Sequence, residues 1–150
     1  MQEKRIDTVS LLQRLLKTTS IGHFLRLNKS SVNSLPTFSN YVNDLCSQKG
    51  VTAESIIKNS NIERTYGHKF FNGTRLPSRD RVIQIAFGFG MNYEGAQRLL
   101  TIARKSQLHP KVERDAVIIF ALNKELGIAD TQSMLRDLGL PGFGKEPGDE

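Results

Sequence analysis

The sequence predicts an all-α protein, and two observations lead to this prediction. Apolar residues recur three or four positions apart along most of the chain, and segments rich in Asn, Ser, Gly and Pro separate these runs. Residues typical of helix ends stand at the boundaries, with Thr52, Ser78 and Asn92 as N-caps and Gly50 as a C-cap. With 150 residues, of which 38% are hydrophobic, the chain is long enough for one domain with helical appendages.

The first elements form an N-terminal helical arm, residues 1–34. Leucines at 11, 12, 15 and 16 mark one helix, and Ile21, Phe24 and Leu25 repeat the spacing in a second. The following segment, 28–36, is rich in turn-forming residues and ends in proline, which predicts a linker.

Five helices are predicted between residues 37 and 104. The second and third are short and are separated by the turn formers Asn59, Ser60 and Asn61. The five begin near Phe38, after Thr52, at Glu63, after Ser78 and after Asn92.

A C-terminal helical hairpin, residues 110–140, is predicted to pack on this core and to repeat its fourth and fifth helices. Seven residues recur at an offset of 35, which suggests a structural repeat, although two helical patterns can also match by chance. They are Arg79, Asp80, Val82, Ile83, Ala86, Gln97 and Leu100, matched by Arg114, Asp115, Val117, Ile118, Ala121, Gln132 and Leu135. Residues 141–150 are predicted to be a disordered tail.

The charge is unevenly distributed. The net charge is +6; residues 58–81 hold six basic and two acidic groups, whereas residues 110–150 hold five and eight. A basic central segment is compatible with a polyanionic partner, and the alternative is an ordinary solvated helix surface.

Several classes of protein are not expected. No segment approaches the length of a membrane helix, no secretory signal is recognisable, and a single cysteine, Cys46, fits a reducing compartment, so we expect a cytoplasmic protein without a membrane partner. The three histidines lie far apart without metal-ligand spacing, and no nucleophile, base and acid form a triad. We therefore expect no metal, no cofactor and no enzymatic activity.

The segment around residues 52–78 resembles the lambda-repressor-like (Xre-type) helix-turn-helix domain of bacterial and phage regulators. The matching features are the cap Thr52, the pair Ile56-Ile57, the turn 59–62, the helix 63–71 and the exit 72–78. The resemblance covers residues 37–104 and implies a five-helix core whose third helix enters the DNA major groove. Double-stranded DNA is then the expected partner, with a transcriptional regulator as the function.

The resemblance also implies roles for individual residues. Glu63 corresponds to the cap of the reading helix, and Arg64, Thr65 and Lys69 to base-reading positions; His68 completes the same polar face at helical spacing. Phosphate contacts are implied for the exit loop, with further positive charge nearby from Lys58 and Arg81. The expected phosphate-binding residues are Asn72, Thr74, Arg75, Ser78 and Arg79.

Two positions depart from the family pattern. Ala53 stands where many relatives carry a glutamine, so that base contact is expected to be missing or replaced. Gly67 takes a position usually filled by a larger apolar residue, and neighbouring aromatics are expected to fill the space.

A second functional interpretation is a protein-interaction adaptor that keeps the same fold. It would bind its partner through the aromatic side chains Tyr66, Phe70 and Phe71, or through the strongly apolar segment 117–122. That segment is either covered by packing on the fourth and fifth helices or forms the interface of a homodimer.

Overall fold

The computed structural model describes residues 6–144. All regular secondary structure in that range is helical, which confirms the all-α prediction. Nine helices and no strand occur among these residues. The helices are α1 Thr8–Lys17, α2 Ile21–Leu27, α3 Phe38–Lys49, α4 Ala53–Asn59, α5 Arg64–Phe71, α6 Arg79–Gly88, α7 Tyr93–Ile102, α8 Glu113–Asn123 and α9 Ile128–Asp137.

The predicted helix ends are found where the cap residues stand. The side chains of Thr52, Ser78 and Asn92 each accept a hydrogen bond from a backbone N–H in the first turn of the following helix. Gly50 ends α3 in the left-handed conformation at φ +66°, which glycine adopts without steric cost.

The chain divides into two compact units, with the boundary between Leu35 and Pro36. In the first unit, α1 and α2 pack on each other as a hairpin, and Phe24 is the buried residue of α2. No residue of α1 is buried, and Leu12 and Leu16 are exposed. Asp7 and Ser20 cap the two helices through their side chains.

The second unit holds the main hydrophobic core, which extends from α3 to the segment after α9. Helix α4 packs on α5 and α6, α3 packs on α5 and α7, and α6 pairs with α7. The hairpin of α8 and α9 packs on α6 and α7, with α9 against α6 and α8 against α7. Val42, Ile85, Leu100 and Ile118 are among the completely buried side chains.

The sequence repeat is also a structural repeat, related by an approximate twofold rotation. Arg79 of α6 donates to both carboxylate oxygens of Asp115 in α8, at 3.2 and 2.9 Å. Arg114 of α8 donates to both oxygens of Asp80 in α6, at 2.9 and 3.0 Å. Because each copy gives its arginine to the other copy's aspartate, the two N-terminal helix ends are joined by a reciprocal pair of bidentate bridges.

The repeat continues beyond the helices into the extended segments that follow them. The Gln97 amide exchanges two hydrogen bonds with the backbone of Leu108, at 2.7 and 3.0 Å. The Gln132 amide does the same with Phe143, 35 residues later, at 2.8 and 3.2 Å. Each copy is therefore a helical hairpin closed by its own C-terminal segment.

This arrangement corrects the prediction of a disordered tail for residues 141–144, the part of 141–150 that the structure describes. Phe143 is buried, and its ring lies 6.5 Å from that of Phe87 in an edge-on arrangement. The carbonyl groups of Pro141 and Gly142 accept hydrogen bonds from Arg114. Residues 141–144 belong to the folded unit, whereas 145–150 lie outside the described residues.

Within residues 6–144, no helix has the length and apolar character needed to cross a bilayer.

Candidate nucleic-acid interface

Helices α4 and α5 are joined by a short turn that buried polar groups hold in place. Asn61 takes the left-handed conformation at φ +57°, so the chain reverses within a few residues. The buried amide of Gln84, in α6, donates to the carbonyl oxygens of Ser60 and Asn61, at 3.1 and 3.4 Å. The Ser60 hydroxyl donates to the Ile56 carbonyl at 2.6 Å. These bonds give the turn carbonyls of Ser60 and Asn61 a hydrogen-bond partner within the fold.

Two glycines allow close approach to α4. A Cβ atom on Gly67 would lie 2.4 Å from Cγ2 of Ile57, so α5 meets α4 where a larger residue has no room. A Cβ atom on Gly88 would lie 2.7 Å from the Ile56 carbonyl oxygen. The side chain that occupies the space beside Gly67 is therefore Ile57, not the aromatic neighbours expected from the sequence.

Helix α5 has one buried and one exposed face. Tyr66, Gly67, Phe70 and Phe71 are buried, with the Tyr66 and Phe70 rings 4.8 Å apart in an edge-on contact. The opposite face carries the polar residues that the sequence singled out. Arg64, Thr65 and Lys69 are exposed and His68 is half-buried.

Glu54, in the first turn of α4, links two residues of this polar face. One carboxylate oxygen accepts from Nε of Arg64 at 2.5 Å, and the other lies 2.8 Å from Nε2 of His68. The Arg64 side chain is 73% exposed, and its contact with Glu54 is made through Nε. Glu54 thus fixes the direction of Arg64 without occupying the fork that could bind a base or a phosphate.

The same contacts shift ionisation equilibria. The hydrogen bond from Arg64, and then that from His68, lower the pKa of Glu54, and the bond to Glu54 raises the pKa of Arg64. Glu63 caps α5 by accepting from the backbone N–H groups of Thr65 and Tyr66, at 2.9 and 2.8 Å, and these bonds lower the pKa of Glu63. Both carboxylates are therefore held in the charged form.

The exit loop after α5 is exposed and locally ordered. The Asn72 side-chain oxygen accepts from the Thr74 backbone N–H at 2.9 Å and from the Thr74 hydroxyl. Arg75 lies over the Tyr66 ring, with its guanidinium carbon 4.9 Å from the ring centroid. Ser78 is partly buried as the N-cap of α6. Asn72, Thr74 and Arg75 are thus exposed in the loop that directly follows α5.

Two arginines expected near the interface are engaged elsewhere. Arg79 binds Asp115 and also donates to the carbonyl oxygens of Ser106 and Gln107, at 2.9 and 3.0 Å. Arg81 is buried and donates to the side-chain oxygen of Gln84 at 2.6 Å. Both guanidinium groups thus help to hold α6 in place. A contact with a DNA phosphate would require these hydrogen bonds to break.

Sequence reasoning placed Ser60 in the turn but did not find Glu54 or Gln84 as parts of this region. Glu54 lies ten residues before Arg64 on a different helix, and an acidic residue is not a usual signal of DNA binding. Gln84 lies within the predicted fourth helix, and no local pattern distinguishes it there. Only its burial beside the turn reveals its role.

The aromatic side chains expected to form the binding surface of an adaptor are not exposed. Tyr66, Phe70 and Phe71 are all less than 5% exposed, so they are core residues and cannot contact a partner without unfolding α5.

No protein-family model, curated protein or solved structure was found to match this chain. Among residues 6–144, no group of three or more His, Cys, Asp or Glu side chains comes together as a metal-binding cluster.

Proposed function

We propose that this chain is a sequence-specific DNA-binding regulator, without enzymatic activity, that acts in the cytoplasm of a bacterium or an infected cell. In this proposal α3 to α7 form a lambda-repressor-like core, and α5 enters the major groove. One observation carries the proposal: the basic and polar residues of α5 all lie on its solvent face, while its aromatic residues are buried.

Base reading is assigned to the exposed face of α5. Arg64 and Lys69 can donate to the O6 and N7 acceptors of guanine, and the Thr65 methyl group suits the thymine methyl group. His68 extends this face. The Glu54 carboxylate holds Arg64 through Nε, which lowers the conformational entropy that Arg64 would lose on binding a base.

Phosphate binding is assigned to the exit loop. Backbone and side-chain groups of Asn72, Thr74 and Arg75 are exposed beside α5, and Ser78 follows them at the start of α6. Arg79 is left out of this proposed set because its guanidinium is bound to Asp115. Phosphate contacts position a reading helix but carry no sequence information.

The decisive experiment compares Arg64 with Arg75 in the 150-residue chain. Selection from random duplexes at about 150 mM salt should enrich a defined motif, and the Arg64→Ala/Lys69→Ala double variant should not enrich it. On the selected duplex, Arg64→Ala should cost about 1–3 kcal/mol and relax sequence preference. Arg75→Ala should weaken all duplexes alike and reduce the steepness of the salt dependence.

Circular dichroism of each variant should match the wild type, so that a loss of binding reflects the interface. Absence of an enriched motif, or equal small effects of both substitutions on every duplex, would contradict the proposed base reading.

A further inference from the structure

Helix α8 carries a line of side chains on its outer side, of which Glu113, Phe120 and Lys124 are exposed and Val117 is half-buried against the core. Glu113, Val117, Phe120 and Lys124 stand at i, i+4, i+7 and i+11, so they lie along one side of the helix. Phe120 is 51% exposed, and the Lys124 ammonium lies 5.8 Å from its ring centroid. Two apolar residues thus stand between an acid at one end and a base at the other.

The exposure of Phe120 has no counterpart at the equivalent position in the other copy of the repeat. At the offset of 35, Phe120 corresponds to Ile85, which is completely buried in α6. Helix α6 packs against both α4 and α7, whereas α8 packs mainly against α9 and α7. The second copy therefore lacks the neighbour that covers the first.

We propose that the stripe Glu113, Val117, Phe120 and Lys124 is a homodimer surface, on which α8 of a second copy packs in antiparallel orientation. Glu113 lies four residues before Val117, and Lys124 lies four residues after Phe120. A twofold axis between Val117 and Phe120 therefore brings Glu113 against Lys124 of the partner subunit, and does so twice.

The charge order favours a second copy over an unrelated protein. An interface on a twofold axis must be complementary to itself, and an acid and a base placed symmetrically about an apolar pair meet that requirement. A parallel pairing of the same helices would bring like charges together. The assignment does not depend on DNA binding, because none of the four residues belongs to the proposed reading surface.

The first test measures the self-association of the full-length chain without DNA, by sedimentation equilibrium from about 1 to 100 μM. We expect a reversible dimer, and Phe120→Ser should raise its dissociation constant at least tenfold. Leu138→Ser is the matched control, because Leu138 is similarly exposed, at 58%, and lies outside the stripe. This control should leave the constant unchanged.

The second test reverses the charges. Glu113→Lys and Lys124→Glu should each weaken the homodimer, because each places like charges together at both ends of the stripe. An equimolar mixture of these two variants should form heterodimers, since every pair is again attractive. Glu94→Lys, which alters an exposed acid in the first turn of α7, is the control for charge alone.

Three results would overturn the proposal. They are a chain that stays monomeric at about 100 μM, a dimer that is indifferent to Phe120→Ser, and single charge variants that do not pair when mixed. Because Phe120, Glu113 and Lys124 are exposed, circular dichroism is expected to show each variant folded.

Discussion

At the scale of single residues, two carboxylates organise the proposed reading surface. Glu63 fixes the start of α5 through two backbone N–H groups, and Glu54 fixes the direction of Arg64. Both act as ions, since their hydrogen-bond partners favour the charged form. The surface that would meet DNA is thus ordered by acidic residues, although its outward charge is basic.

The first prediction at this scale concerns pH. The pKa of Glu63 and that of Glu54 lie below the ordinary value of 4.5. Their contribution to the free energy of unfolding is therefore complete above pH 4.5 and is lost as the pH falls through the lowered values. Urea unfolding from pH 7 to 3 should show stability falling in the acid range. In Glu63→Gln this fall should be shallower.

The matching substitution Glu54→Gln should also reduce the loss of stability at acid pH, because it removes the second carboxyl group with a lowered pKa. Identical pH profiles for the wild type and both variants would show that neither carboxylate is linked to folding.

At the scale of helices, glycine decides how closely α4 can be approached. Gly88 brings the end of α6 against the Ile56 carbonyl, and Gly67 brings α5 against Ile57. Because both contacts are made to neighbouring residues of α4, they hold α5 and α6 close to that helix. This close packing explains why position 67 is a glycine.

We predict that Gly88→Ala lowers the free energy of unfolding by about 1–3 kcal/mol, because the added methyl group overlaps a backbone carbonyl that cannot rotate away. This cost outweighs the gain of about 1 kcal/mol that alanine brings to a helix. Urea denaturation followed by circular dichroism measures the difference.

The control is Gly22→Ala in α2, where the nearest atom to an added Cβ is 3.9 Å away, at the end of the Arg26 side chain. This substitution should be neutral or slightly stabilising. A Gly88→Ala variant as stable as the wild type would show that α4 and α6 can separate without cost.

At the scale of the whole molecule, the second unit combines helices α3, α4 and α5 with two helical hairpins, α6–α7 and α8–α9, that repeat each other. The reciprocal bridges between Arg79 and Asp115 and between Arg114 and Asp80 join the two hairpins. Each hairpin is closed by an extended segment that ends in a buried apolar residue, Leu108 in one and Phe143 in the other. Residues 141–144 therefore complete the fold.

Because Phe143 is buried, we predict that Phe143→Ala lowers the free energy of unfolding of the second unit by about 3 kcal/mol, the lower end of the range for a buried phenylalanine. The loss should appear as a lower midpoint in urea. Leu138→Ala, at an exposed position close in sequence, should leave the midpoint unchanged. An unchanged midpoint for Phe143→Ala would mean that this segment contributes nothing to the fold.

The helices and their ends were largely predictable because their signals are local. Helical spacing, the caps Thr52, Ser78 and Asn92, and the C-cap Gly50 each depend on neighbours within a few residues. The polar face of α5 was predictable for the same reason, since spacing alone assigns residues to a face. The offset of 35 also indicated the repeat before any contact was known.

Tertiary structure alone decided which of these side chains are available. Arg79 belongs to a bridge with a residue 36 positions away, Tyr66 is buried, and Glu54 reaches Arg64 from another helix. Phe143 follows glycine and proline, which locally indicate disorder, yet its ring is buried in the core. The sequence by itself thus determined the helices and their faces, because these follow from local spacing. The partners of each charged or aromatic side chain depend on contacts between distant segments, which only the folded chain defines.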